Sequence, residues 1–317
     1  MSDTMLFYTL TGIVGAAIGS FLNVCVARWP LRESVVAPRS RCPRCGHQIT
    51  WWENIPVISW LVLRARCSGC GLPISVQYPL VELAVAGLWV AAVWLMGPTL
   101  VALRLAVFAT LLFGVLLTDL LAYDIPDGFT ITGLLVALAG AFADVFTSPG
   151  GAWPFASFPD ALIGACTGAG IVAIAGWLGE AWLKREAMGF GDVTLMAMVG
   201  AFVGPWRSLI TVFLGAAIGL VVMLALAPFL AARATATPAV SPTEGPASDS
   251  APEPVPSSEG SDSALAHAAG ERPDVPPPGA WGLPAIPFGV FLAPGALVAL
   301  LAGDRIIVWY LATSGLR

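Results

Sequence analysis

The sequence predicts an all-α polytopic membrane protein of about eight transmembrane helices, with a small cytoplasmic tetracysteine domain resembling a zinc ribbon. Three observations predict it. Of 317 residues, 57% are hydrophobic and only 11% charged, whereas a soluble domain carries about a quarter charged residues. The apolar residues are gathered into runs long enough to cross a bilayer. Two C-x2-C pairs stand together in one arginine-rich loop. The net charge of −5 is unevenly spread, and no basic surface points to a nucleic-acid partner.

The apolar runs predict spans near 5–27, 80–96, 100–119, 127–146, 160–182, 192–204, 207–230 and 284–302. A full crossing needs roughly 20 apolar residues, so 192–204 is short and needs tilt or shielding by its neighbours. The first run lacks a basic leader and a small-residue cleavage signal, and it reads as a retained helix. The organisation expected is a first helix over 1–27, a tetracysteine domain over 28–79, a membrane core over 80–232, an insert over 233–280 and a final helix with the C-terminus over 281–317.

Orientation follows from cation placement. Arg28, Arg32, Arg39, Arg41, Arg44, Arg64 and Arg66 all lie in the loop after the first span, which is therefore cytoplasmic, with the N-terminus outside. Counting forward makes 119–127 and 183–192 cytoplasmic too, consistent with Lys184 and Arg185. Arg104, Arg207 and Arg305 fall on the outer side, against the trend. The insert 233–280 is rich in Pro, Ala, Ser and acids. It cannot bury enough apolar surface to offset its ordering entropy, and disorder in the cytoplasm is expected. No repeat of fixed period stands out.

In the basic loop, Cys42 and Cys45 form one C-x2-C pair and Cys67 and Cys70 another, with 21 residues between. Two such pairs at this separation are the pattern of a tetrahedral four-thiolate zinc site. Gly46 and Gly71 follow the pairs where a turn with positive φ is needed. Two disulfides are the rival reading, disfavoured in a reducing compartment. A four-thiolate set leaves no open coordination position, so the metal is structural. Trp51, Trp52, Trp60 and Ile55–Leu63 either supply the small core of this domain or lie against the membrane interface. Cys25 and Cys166, single within spans, read as small buried hydrophobes.

Acids in or beside membrane spans are costly and are candidates for function. Asp119 ends one span and Asp192 begins another, both on the cytoplasmic side; Asp144, Asp160 and Asp304 belong to the outer side. Two carboxylates facing one water make an acid–base pair for peptide hydrolysis: one takes the proton of the water and the other donates to the carbonyl oxygen. Gly189 and Gly191 would let a substrate strand approach the backbone beside Asp192. The competing reading of Asp192 is an N-cap after a glycine turn, and for Asp127, which follows Pro126, capping is preferred. Asp124 is a loop or cavity-edge residue. Glu82 either faces the aspartate cavity or pairs with a loop arginine.

These residues resemble the type IV prepilin leader peptidases. "GSFLNVCVARWP" (19–30), the cysteine stretch over 40–82, "TDLLAYDIPD" (118–127), "GFGD" (189–192) and "IPFGVFLAPGAL" (286–297) are similar to that family's motifs and stand in its order. The resemblance implies that Asp119 and Asp192 are catalytic aspartates of a bacterial inner-membrane endopeptidase. It implies that prepilins or pseudopilins are the substrates, cut after their basic leader at the cytoplasmic face. It also implies S-adenosylmethionine-dependent N-methylation of the new N-terminus. On this reading Glu82, Asp124 and Asp127 are candidates to meet the leader's positive charge, and the loop arginines serve topology and anionic membrane lipids. Two departures stand out: the long insert, and Val290 where the family's final motif often has a second proline.

Two other classes compete. A proton- or cation-coupled transporter with a zinc-bearing regulatory loop would use Asp119 and Asp192 as a relay, but such acids stand near mid-span. A zinc-bearing scaffold would explain the cysteines and ask nothing of the aspartates.

Overall fold

The computed structural model describes residues 2–148, 152–184, 188–236 and 287–314. Among them it is helical apart from two isolated antiparallel bridges. Seven helices are long and apolar enough to cross a membrane. They are α1 (Ser2–Arg28), α3 (Gln77–Met96), α4 (Leu100–Ala122), α5 (Asp127–Thr147), α6 (Phe158–Leu183), α8 (Pro205–Ala236) and α9 (Gly289–Ser314). A five-residue helix, α2 (Ile58–Val62), lies in the cysteine loop.

The eighth expected span is α7 (Phe190–Val203), with 14 residues. At 1.5 Å per residue it rises about 21 Å, short of a hydrocarbon core about 30 Å thick. Packing by α5, α6 and α9 resolves the deficit. From Leu195 to Val203 only Ala197 is not buried, so the helix is shielded by protein rather than lipid. Its chief neighbour is α6. Gly164 and Gly168 on α6, and Gly200 on α7 with Gly204 at its C-cap, repeat the small-xxx-small spacing that lets membrane helices touch backbone to backbone. A Cβ on Gly200 would collide with the carbonyl oxygen of Gly164, and one on Gly164 with that of Gly200. In lipid, where apolar burial drives little, such close packing is the main attraction between helices.

Two of the arginines that the charge pattern counted against are explained by their partners. Arg104 at the start of α4 pairs with Asp144 near the end of α5, and its guanidinium lies 4.3 Å from the ring centroid of Phe155. Arg207 at the start of α8 donates to both oxygens of Asp304 on α9, at 2.8 and 2.7 Å, and to the carbonyl of Pro154. These cations tie helices together. The second pairing also accounts for a misplaced boundary: the last helix was expected to stop near 302, but with Asp304 neutralised it continues to Ser314. Asp160 forms a reciprocal cap with Ser157, whose hydroxyl donates to its carboxylate at 2.6 Å.

The described residues carry α8 on to Ala236. The helix thus runs past 233, where the insert was expected to begin; the rest of the expected disordered segment, 237–280, lies outside the described residues.

The cysteine loop contains a local duplication that a search for fixed-period repeats overlooks. Cys42 N–H donates to His47 O and Gly46 N–H to Cys42 O; Cys67 N–H donates to Leu72 O and Gly71 N–H to Cys67 O, all at 2.9–3.0 Å. Ile49 closes on Ser40, and Ile74 on Ala65, in the same way. The underlying residues, R-C-x-x-C-G-x-x-I, occur twice, and Gly46 and Gly71 have φ of 73° and 70°. Of the two readings of the loop's apolar residues, a small core or a membrane-interface face, the core does not form. Trp51 is 76% exposed, and Ile58, Leu61 and Val62 are exposed as well, because the loop is held by its knuckles and side-chain hydrogen bonds rather than by buried apolar volume. Cys25 is buried as expected, but Cys166 is exposed on α6.

Candidate active site

Asp119 stands in the last turn of α4. The helix stops three residues later because Tyr123 adopts the left-handed conformation (φ 54°) and returns its N–H to Asp119 O at 3.0 Å. The chain then turns through Ile125 and Pro126 into α5. Asp192 is the third residue of α7, whose N-cap is Gly189. Asp192 is therefore not the N-cap itself; from the third position its carboxylate turns back toward the Gly189 N–H, as an acid there commonly does. Asp119 is 5% exposed and Asp192 9%, and Asp119 lies close enough to feel the charge of Asp192.

The beginning of α9 completes the arrangement. Val290 N–H donates to Oδ2 of Asp119 at 3.0 Å. Gly289 permits the approach: a Cβ there would sit 2.7 Å from that oxygen and 3.0 Å from Cδ1 of Ile125. Gly191 presses on the other side of Ile125, where its Cβ would lie 2.9 Å from that of the isoleucine. Ile125 is thus the shared neighbour of the helix starts that bring in Asp192 and the amide on Asp119. One oxygen of the pair is left over: Oδ1 of Asp192 is buried with no hydrogen-bond partner among the described residues. A buried carboxylate oxygen without a partner carries a desolvation cost; it can accept from a water or, once protonated, donate to a carbonyl oxygen.

Around this pair, Gly189 faces open space, with nothing nearer to its Cβ position than Asp192 Oδ2 at 4.0 Å, and Phe190 is 76% exposed. Asp124 and Asp127 are exposed near the pair. Asp127 is the first residue of α5, after an N-cap at Pro126 with no side-chain cap, so the expected capping role fails. Asp124 feels the positive charge of Arg32. Glu82 does neither of the two things expected of it. It is buried near the start of α3 and accepts the N–H of Val57 at 2.7 Å, which anchors the cysteine loop.

The four thiols converge. The sulfurs of Cys42, Cys45, Cys67 and Cys70 lie within 4.8 Å of one another, and those of Cys45 and Cys67 are 4.0 Å apart. A tetrahedral zinc at about 2.3 Å from each sulfur sets them about 3.8 Å apart, so the residues fit that ion. Backbone N–H groups of Arg44 and Cys45 bring the Cys42 thiol down to about 7, while the neighbouring thiols help hold Cys45 up at about 11; a metal's charge would be what deprotonates the whole set. His47 is not part of the set. Its Nε2 lies 3.0 Å from Ser68 Oγ and 3.3 Å from Glu53, and Ser68 also donates to Glu53, so these three side chains link one knuckle to the other.

Two family models match. The bacterial peptidase A24 N-terminal domain covers residues 13–96 and the type IV leader peptidase family covers 105–224. The chain is 41% identical over 225 residues to the prepilin leader peptidase/N-methyltransferase of Myxococcus xanthus, covering 69% of this chain and 64% of that protein. The like-named protein of Stutzerimonas stutzeri is 33% identical over 69% of this chain and 81% of its own length. That of Aeromonas salmonicida is 30% identical over 97% and 95%. The chain belongs to the type IV leader peptidase family. No solved structure matches it.

For a type IV leader peptidase family member, the departure at Val290 acquires a structural meaning: a residue with an N–H stands where a proline would supply none. Gly289, Val290 and Ile125 are the site residues that sequence reasoning missed. The motif over 286–297 was visible, but what it contributes is a backbone amide and a missing side chain, neither of which has a chemical signature in sequence.

Proposed function

We propose that the chain is an aspartic endopeptidase of the bacterial inner membrane that removes the basic leader of prepilins or pseudopilins at the cytoplasmic face, with Asp119 and Asp192 as its acid–base pair. The observation that carries this reading is the meeting of the two carboxylates from α4 and α7 beside Ile125, with Oδ1 of Asp192 unpartnered, in a member of this family. Asp119 already accepts an amide hydrogen bond, which suits the ionised partner that draws a proton from water. Asp192 then holds the proton and gives it to the carbonyl oxygen of the scissile bond. The exposed turn at Gly189 and Phe190 leaves the backbone beside Asp192 open to an extended substrate. Both acids stand at helix ends rather than mid-span, as cleavage near the membrane surface requires and as a transporter relay does not.

Methylation of the new N-terminus is the second activity proposed, with S-adenosylmethionine as methyl donor. A cavity of about 460 Å3 between α1 and the cysteine loop offers Arg39 for the carboxylate of that molecule and Trp51 for its adenine. It contains no acid for the sulfonium, so it is not assigned to the donor. Zinc at the four cysteines holds the two knuckles together and takes no part in hydrolysis.

The test is cleavage of a prepilin-like substrate in liposomes by wild type, Asp119→Asn and Asp192→Asn, with mass spectrometry of the product's N-terminus. Loss of cleavage in both folded variants is expected, with one methyl added to the wild-type product only when S-adenosylmethionine is present. Cleavage by either Asn variant at the wild-type rate would remove the pair from the mechanism.

A further inference from the structure

We propose that the cavity between α1 and the cysteine loop is a binding site for the headgroup of an anionic phospholipid of the leaflet that the loop faces. One wall is a stripe of α1 that begins at Ala17 and continues through Phe21 and Val24 to Arg28. The spacing follows the three-to-four-residue period of one helix face. The other wall is loop, and includes Arg39, Trp51 and Asn54.

The two ends of the cavity differ in chemistry along the membrane normal. Phe21 belongs to the second half of a membrane-crossing helix and is 54% exposed, so the stripe is at hydrocarbon depth. Arg28 ends that helix, and the arginines and Trp51 therefore stand where headgroups lie. Exposed tryptophan is favoured at that level, where one ring edge meets water and the face meets lipid. A cavity of about 460 Å3 falls in the range of small-ligand pockets, about 300–1,000 Å3. It has room for a headgroup and the start of its chains, whose remainder would lie along the exposed stripe.

Charge selects the class of lipid. Two guanidinium groups line the cavity and no carboxylate does. Arg28 spends two N–H groups on the carbonyls of Ser34 and Pro38, both at 2.9 Å. It thereby braces the loop wall while its charge remains. Arg39 makes no hydrogen bond among the described residues and is exposed, so its donors are available to a phosphate. A zwitterionic headgroup brings its own cation into a site that already holds two, whereas an anionic one neutralises them. The lipid would act as a wedge that fixes the loop against α1, and the inference stands whether or not the chain is a peptidase.

The test is native mass spectrometry of delipidated protein titrated with phosphatidylglycerol or phosphatidylcholine, for wild type, Arg39→Gln and Arg64→Gln. Arg64 lies in the same loop outside the cavity lining, and its variant removes the same charge. The expected result is one tightly held phosphatidylglycerol, bound at least about tenfold better than phosphatidylcholine. That preference would fall severalfold in Arg39→Gln and stay in Arg64→Gln. Equal losses in the two variants would mean diffuse electrostatics and would overturn the site. So would an absent headgroup preference in wild type. Displacement of phosphatidylglycerol by inorganic phosphate at equal concentration would make it a site for a soluble anion instead.

Discussion

Oε2 of Glu82 accepts the N–H of Val57 at 2.7 Å, and Val57 is held at a φ of 60°. A β-branched residue in that region costs about 1–3 kcal/mol, and the buried carboxylate is what opposes its release. Glu82→Ala should therefore free the loop: amides around Val57 should exchange faster with deuterium, by an amount equivalent to about 1–3 kcal/mol. Glu82→Gln, which keeps an acceptor oxygen, should lose less. Equal exchange in the two variants would show that the contact does not hold the loop.

Gly289→Ala places a methyl group 2.7 Å from Oδ2 of Asp119. Either the carboxylate or the start of α9 must shift, and a shift of about 1 Å at a catalytic group can cost roughly a hundredfold in rate. The expected result is a fall in kcat for leader cleavage with KM changed little. A proportional rise in KM would place the effect on substrate binding instead.

Gly200→Ala sets a methyl group against the Gly164 carbonyl, where neither backbone can yield easily; Gly170→Ala, on the same partner helix, meets open space. Thermal unfolding in detergent should show a loss of about 1–3 kcal/mol for the first and little or none for the second. Because α7 carries Asp192, the first variant should lose activity as well.

The ion pairs Arg104–Asp144 and Arg207–Asp304 differ in burial. The side chains of Arg104 and Asp144 are 10% and 14% exposed, whereas Asp304 is 52% exposed. Asp144→Ala leaves a buried guanidinium unpaired and should cost about 3–5 kcal/mol; Asp304→Ala should cost about 1 kcal/mol or less. Unfolding midpoints of the two variants compare them directly, and the reverse order would refute the reading of Arg104 as a structural cation.

Metal analysis should find one zinc per chain, lost in Cys67→Ser. Chelation should expose the cysteine loop to protease, because no buried apolar core takes over when the four thiolates are released. A chelated protein with unchanged digestion would assign the loop's order to the hydrogen bonds among His47, Ser68 and Glu53.

Much of this was legible in the sequence because the signals are chemical and local. Apolar runs marked the long helices, C-x2-C pairs marked the thiol cluster, and acids at span ends singled out Asp119 and Asp192, which the fold buries on either side of Ile125. What escaped was tertiary. Whether a 14-residue helix sits in the membrane depends on neighbours that shield it. The role of Glu82 depends on a strained Val57 amide 25 positions away. The outer arginines counted against the topology until Asp144 and Asp304 were seen beside two of them. The loop's tryptophans read equally as core or as a membrane-interface face, because sequence does not show that a loop clamped by thiols and hydrogen bonds has no need to bury them.

The hydrogen bond from Val290 to Asp119 spans 171 positions of chain, and a ribosome delivers those positions in order. During co-translational insertion both acids reach the bilayer before α9 has been made. A nascent chain stalled upstream of residue 287 therefore carries Asp119 and Asp192 without the amide that steadies the first of them. On the mechanism proposed above, hydrolytic competence arrives with the last helix, and unfinished chains are kept from cutting their neighbours during assembly.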